Sequence, residues 1–139
     1  MYIPGECGVG KTRNLYGVYR VFRANFKGDI YLKFTNITDF FSGLKQTFDG
    51  QDSEQQIIDI IKTDDILFID DFGVEKLSEW NLEAAYRLIN HRYEYLKPTF
   101  ISSNLSLKKI AERMGDRFSS RIAEMCEVIK MEGKDRRLK

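Results

Sequence analysis

The stretch that decides the reading is PGECGVGKT, residues 4 to 12. Gly5, Gly10, Lys11 and Thr12 satisfy G-x-x-x-x-G-K-[ST], with Glu6, Cys7, Gly8 and Val9 at the variable positions. The glycines free the backbone, so that the N–H groups of residues 6 to 12 can turn inward as an anion nest. A helix beginning at Lys11 adds its positive N-terminus. The Lys11 ammonium can reach the β- and γ-phosphates of a nucleotide, and the Thr12 hydroxyl can bind Mg²⁺. Average residue usage produces this pattern by chance in roughly one chain in two hundred of this length. Its setting, a strand before and a helix after, makes chance less frequent still. Gly5, Glu6, Cys7, Gly8, Val9, Gly10, Lys11 and Thr12 are therefore the candidate nucleotide-binding residues. Cys7 reads as a solvent-side loop residue rather than a redox group.

Working outward, Leu15, Val18, Tyr19 and Phe22 form one apolar stripe after Lys11, the mark of an amphipathic helix. A turn at Gly28-Asp29 precedes a strand expected over Ile30 to Phe34. Asn36 can cap a helix carrying Ile37, Phe40, Phe41 and Leu44. Ser53-Glu54-Gln55-Gln56 is a capping-box pattern opening a helix with Ile57, Ile58 and Ile61. Ile66 to Ile69 is a continuous apolar run, as a strand buried on both faces requires. Leu82, Ala85, Tyr86, Ile89, Tyr93 and Leu96 keep helical spacing. A short strand follows Pro98, then a helix ended by Gly115, another helix over DRFSSRIAEM, and a last strand, CEVIKM. Strand and helix alternate, which predicts an α/β fold with about five parallel strands and a ligand site at their carboxyl ends.

Two further motifs fall at those ends. ILFIDDFG closes an apolar strand with Asp70 and Asp71. Asp70 can hold Mg²⁺ through a water, and Asp71 can orient or deprotonate an attacking water. FISSN ends the next strand at Asn104, which either contacts the γ-phosphate or its water, or caps the helix that begins at Ser106.

Composition sets the outer limits. The chain has 139 residues, one domain, with 42% apolar and 31% charged residues. A net charge of +1 means that any nucleic-acid contact needs a local basic patch. Two cysteines, Cys7 and Cys126, without C-x-x-C spacing argue against a disulfide framework or a zinc site and fit a reducing cytoplasm. No apolar run reaches the roughly 18 residues that span a bilayer, and the N-terminus lacks the basic region and apolar stretch expected of a signal peptide. Only Met1-Tyr2-Ile3 precede the loop. Either the first strand is very short or the chain is a fragment truncated just before the loop, and the fragment is the expectation.

As a set, GVGKT, FIDDFG, KPTFISSNLS, RFSSRI and the terminal G-x-D-x-R of Gly133, Asp135 and Arg137 resemble the AAA+ ATPases of the DnaC/DnaI helicase-loader and IstB-type transposition-helper group. The resemblance covers nearly the whole chain. It implies a P-loop NTPase core with a five-stranded parallel sheet, order 5-1-4-3-2, and no C-terminal helical lid. Residues Gly5 to Thr12 would be Walker A, Asp70 and Asp71 Walker B, and Asn104 sensor 1. Arg121 would be the arginine finger acting on a neighbour's ATP, with Arg117 one turn earlier as the alternative. Arg136 and Arg137 are not assigned the lid's sensor role. Most AAA+ ATPases carry Glu where this chain has Asp71, although the loader group often has Asp. Loaders carry their helicase-binding module upstream of the P-loop.

The expected function is Mg²⁺-dependent ATP binding and hydrolysis in a helicase-loader-like protein, cytoplasmic, with self-association and with a replicative helicase or single-stranded DNA as partner. The alternatives are a transposition helper, an ATP-gated binding module with negligible turnover, an incomplete ATPase and a small P-loop kinase. Paired Asp70-Asp71 and Asn104 fit water activation better than a kinase. For DNA, Lys108, Lys109 and Arg113 cluster on one helix and Lys33 and Lys45 on other elements, against a plain solvated face. Phe40, Phe41 or Phe48 are either base-stacking platforms or, for the first two, core.

Overall fold

In the computed structural model, residues 1–47, 62–73 and 78–136 are described. The expected helix after Ser53, Phe48 and Arg137 lie outside them. Chain order is β1 (Tyr2–Pro4), α1 (Lys11–Asn25), β2 (Leu32–Asn36), α2 (Ile37–Thr47), β3 (Ile66–Phe72), α3 (Glu79–Glu94), β4 (Thr99–Ser103), α4 (Leu107–Met114) and α5 (Asp116–Met125). No helix among the described residues is long and apolar enough to cross a membrane.

The four strands form one parallel sheet in the order β1-β4-β3-β2. β3 lies inside it, with apolar side chains on both faces. Leu67 and Ile69 enter one core, with α2, α3, α4 and α5, and Ile66 and Phe68 enter the other, with α1. Register puts Phe34, Phe68 and Phe100 side by side across β2, β3 and β4. The Phe68 and Phe100 rings stack at 4.5 Å. From α1, Tyr19 meets Phe68 edge-on at 5.3 Å and Phe22 meets Phe100 at 5.2 Å. The α1 stripe is thus seated on an aromatic row. On α2, Ile37, Phe40, Phe41 and Leu44 are all buried, so the two phenylalanines are core and neither can stack on a base.

The sheet departs from expectation at its far edge. Residues 126–131 run parallel to β1 but make only isolated bridges, Tyr2 with Val128 and Gly5 with Met131. The sheet therefore has four strands rather than five, although the tail occupies the outer position beside β1. The reason lies in β1. Tyr2 exchanges hydrogen bonds with the tail, its N–H to Glu127 O (2.7 Å) and its carbonyl from Ile129 N (2.8 Å). Pro4 is the next residue facing that side, and it has no N–H to continue the ladder. Only its carbonyl bonds, accepting from Met131 N at 2.8 Å. β2 also begins later than expected, at Leu32, leaving Ile30 and Tyr31 exposed.

α3 brings an unexpected residue into the core. Its buried positions are Ala84, Ala85, Leu88, Ile89 and Arg92. Leu96, expected on the stripe, is past the helix end, 87% exposed and at φ 50°. Arg92 takes the last core position and is fully buried. Its guanidinium donates to Thr99 Oγ1 (2.7 Å), Asp64 O (3.0 Å), Asp65 O (3.2 Å) and Pro98 O (2.8 Å). One side chain thereby ties α3 to the starts of β3 and β4. Burial pulls its pKa down to about 10, so it stays charged at neutral pH.

Arg92→Met should destabilise the chain by roughly 3 kcal/mol, because it removes four bonds to a charged donor and leaves Asp65 O and Thr99 Oγ1 without one. In a domain of this size that lowers Tm by about 10 °C. A thermal-unfolding shift of only a degree or two would show that the carbonyls find other donors.

Tyr2 supplies a pH test. It is fully buried, donates its phenol to Leu105 O at 2.6 Å, and burial pushes its pKa up to about 12 from 10.0. The folded chain keeps a proton that the unfolded chain has released. This contribution to stability is complete below pH 10 and is lost as pH rises towards about 12. Tyr2→Phe should flatten that alkaline loss in urea unfolding, and an unchanged slope would remove Tyr2 as its source.

Candidate phosphate-binding site

The glycine loop joins β1 to α1 at the carboxyl edge of the sheet. Gly8 (φ 77°) and Gly10 (φ 100°) lie in the left-handed region, where an L side chain is strained. A Cβ at Gly8 would also fall 1.8 Å from Asp135 Oδ1, so the Asp135 carboxylate would have to move aside for it. Within the loop, Glu6 and Cys7 are exposed while Val9 is buried and anchors it. The Gly10 carbonyl accepts the first helical bond of α1 from Asn14 N at 3.1 Å.

Lys11 opens α1 and is 6% exposed. Its ammonium donates to Gly5 O (2.8 Å), Glu6 O (2.7 Å) and Asn104 Oδ1 (2.6 Å). All three of its donors are thus used on neutral oxygens at the point where the loop curls. The next residue, Thr12, donates its hydroxyl to Asp70 Oδ1 at 3.2 Å. Loop and β3 therefore converge on one spot.

The end of β3 is built for this. The pairing of β3 with β4 slips between Ile69 and Phe72, and Asp71 sits at φ 54°. Such a bulge re-aims consecutive side chains that a regular strand would send to opposite faces. Asp70 is buried, and its carboxylate also accepts from the Ser102 hydroxyl. Ser102 Oγ in turn accepts from Asp71 N at 3.2 Å. Asp71 lines a cavity of about 540 Å³ together with Cys7, Gly8, Gly10, Lys11, Thr12 and Asn104. Asn104 is not a helix cap. Its side-chain oxygen is on Lys11, and Ser106 caps α4 itself by accepting from Lys109 N at 3.3 Å.

The structure brings together Gly8, Gly10, Lys11, Thr12, Asp70, Asp71 and Asn104. Arg121 is elsewhere. It lies on α5 and donates to the Tyr86 hydroxyl on α3 at 2.6 Å. Neither Arg121 nor the exposed Arg117 lines the cavity.

Two residues of the site, Ser102 and Tyr16, went unread in the sequence, and a third, Arg136, was left without a role there. Ser102 holds both aspartates, and only its place beside Asn104 hinted at that. Tyr16, one turn beyond Thr12, lines the cavity from α1. Arg136 lines it from the tail, whose backbone crosses the loop with Arg136 N on Gly8 O at 3.1 Å. The G-x-D-x-R pattern was the available signal for this crossing.

Of the candidate DNA contacts, Lys33 faces Asp64 at 3.9 Å and Lys45 lies over the Trp80 ring at 5.0 Å. Arg113 donates to Gly73 O at 2.6 Å. Lys108 and Lys109 border a second cavity of about 720 Å³ on the tail side of the loop.

A glycine loop closing on a lysine, with strand-end acid and amide from its neighbours, in a parallel α/β layer, is the architecture of an AAA+ ATP-binding domain. The family model described as IstB-like ATP binding protein matches residues 1–139, and the chain belongs to that family. The Bacillus subtilis (strain 168) protein called phage-like element PBSX protein XkdC is 31% identical over 128 residues, covering 88% of this chain and 46% of that protein. The replicative helicase loader DnaI of the same organism is 26% identical over 150 residues, covering 99% of this chain and 47% of the loader. A crystal structure of the DnaC helicase loader matches with a TM-score of 0.79 at 27% identity, over 95% of this chain and 77% of that one. The chain spans about half the length of the curated relatives it matches. It is an ATP-binding AAA+ domain of the helicase-loader type.

Proposed function

We propose that the chain binds ATP with Mg²⁺ and hydrolyses it in a helicase-loader-like protein, with an active site completed by a second copy. The observation that carries this reading is the meeting of Thr12 and Asp70 at 3.2 Å beside the Lys11 ammonium. A hydroxyl and one carboxylate next to a phosphate cradle suit Mg²⁺, which prefers one or two protein oxygens with phosphates and waters filling its octahedron. In keeping with that, no group of three His, Cys, Asp or Glu gathers to hold a metal among the described residues. Bound there by Thr12 and Asp70, Mg²⁺ would neutralise charge on the phosphate oxygens.

The residues then divide the work. Lys11 exchanges its neutral carbonyl partners for phosphate oxygens, which bind an ammonium more strongly. The N–H groups of Glu6 to Thr12 cradle the same phosphates. Asp71 orients and deprotonates the attacking water, and Asn104, released by Lys11, holds that water or the γ-phosphate. Arg121 of a neighbouring copy stabilises charge at the γ-phosphate, because this chain's own Arg121 is held away from its own cavity.

The names of DnaI and DnaC support loading of a replicative helicase as the setting, while the IstB-like family model supports the transposition-helper alternative. An ATP-gated binding module with little turnover is the other reading, favoured by that same placement of Arg121.

ATP hydrolysis with Mg²⁺, measured across protein concentration with and without single-stranded DNA, separates these. The rate per subunit should climb with concentration. Lys11→Ala should remove ATP binding in a filter or fluorescence assay, and retained affinity would refute the P-loop reading. Arg121→Ala should leave ATP affinity intact and cut the stimulated rate by a factor of 10³ or more, the order expected for a trans arginine. A flat, near-zero wild-type rate with ATP bound would favour the gated module.

A further inference from the structure

Arg121 is already held in place on the isolated chain. Its Nη1 donates to the Tyr86 hydroxyl at 2.6 Å, and its guanidinium carbon lies 4.9 Å from the centroid of the Tyr86 ring and 5.9 Å from that of Tyr93. Two α3 tyrosines one heptad apart thus present their rings to the cation. Both are themselves supported. Tyr86 packs against Phe118 at 6.5 Å, and Phe118 is buried and stacked on Phe72 at 5.7 Å. Tyr93 is hydrogen-bonded to Glu124 on α5, which raises its pKa. No carboxylate is paired with Arg121 among the described residues.

The contact uses little of the guanidinium's capacity. One of five N–H groups goes to Tyr86, and no described residue accepts from the Nε and Nη2 edge. That edge is the fork that grips two phosphate oxygens at once. A long, rotamer-rich side chain is therefore fixed by groups that leave its phosphate-binding edge open. A salt bridge in the same place would occupy the fork and neutralise the charge.

We propose that Tyr86 is the positioning residue for Arg121, holding the guanidinium at the subunit surface so that its open edge meets the γ-phosphate bound by a second copy. Tyr93 is the second wall of the clamp. This rests on the trans role of Arg121 proposed above. The effect acts on turnover, because pre-setting the geometry lowers the barrier and does not alter ATP's own contacts.

The test uses two defective chains mixed together. Chains carrying Lys11→Ala bind no ATP but can lend Arg121, and chains carrying Arg121→Ala bind ATP but lack the arginine. Donor is titrated into a fixed amount of acceptor, and hydrolysis is followed to its plateau. The mixture should turn over where neither chain does alone. If it does not, Arg121 does not act in trans, and the reading beneath the proposal falls with it.

If it does, Tyr86→Phe is added to the donor, keeping the ring and removing only the hydroxyl. The plateau rate should fall roughly tenfold, the size of one lost hydrogen bond to a charged group. KM for ATP and the donor concentration at half-plateau should not move. A structural defect would instead shift the half-plateau concentration and the donor's Tm. Tyr86→Leu, which also removes the ring, should lower the plateau further. An equal or raised plateau with Tyr86→Phe overturns the proposal and leaves the trans role of Arg121 standing.

Discussion

The phosphate loop is only as well placed as the helix it leads into, and α1 is placed by aromatic packing. Phe34, Phe68 and Phe100 form a row across three strands, and Tyr19 and Phe22 meet that row edge-on. Edge-to-face pairs contribute about 0.5–1.5 kcal/mol each beyond area burial, and they resist sliding because the ring edge must face the next ring's π cloud. Sliding α1 by one turn would shift Lys11 by about 5.4 Å. The 2.6 Å contact with Asn104 and the 3.2 Å contact between Thr12 and Asp70 would both be lost. The core on one face of the sheet thus sets ångström-scale geometry at its end.

β3 answers the same demand from the other side. A regular strand would send Asp70 and Asp71 to opposite faces. The bulge between Ile69 and Phe72 breaks that alternation, and Ser102 secures both residues, one through the carboxylate and one through the backbone N–H. A buried carboxylate must be hydrogen-bonded to be tolerated, and among the described residues Asp70 meets this with the hydroxyls of Thr12 and Ser102. Hydroxyls are partners that a metal ion can displace or share, whereas a lysine or arginine there would compete with it.

Much of this was legible in the sequence, and the misses have physical causes. The glycine loop, the strand-end acids and the alternation of strand and helix are local patterns, so spacing alone revealed them. Arg92 was invisible because counting apolar residues ranks arginine as surface. Its guanidinium is buried only because three carbonyls and a threonine from distant segments converge on it. The fifth strand failed for a comparable reason. CEVIKM has strand-like residues, but its ladder depended on Pro4 of another strand, whose missing N–H no propensity within CEVIKM could reveal. Ser102 and Tyr16 join the site through tertiary contacts that leave no local motif, and Arg136 lies in the G-x-D-x-R pattern but reaches the loop only through the fold.

The same contrast bears on the proposed division of the reaction between copies. Apart from Arg136, the residues that line the candidate phosphate site sit on elements bound directly to the central strands β3 and β4, where parallel register holds them together. Arg121 sits on α5, which packs mainly on α3 and α4 and reaches the sheet through Phe118 on Phe72, and the side chain is held by rings instead of a backbone ladder. A side chain on the outer layer cannot share the precision of the strand ends unless something stiffens it locally. Two tyrosines braced by Phe118 and Glu124 supply that stiffness, and the Glu124 carboxylate is taken up by Tyr93 rather than paired with Arg121. Aromatic support for a cation is the solution this layer allows, since it fixes direction while leaving the guanidinium's charge and its outer edge intact.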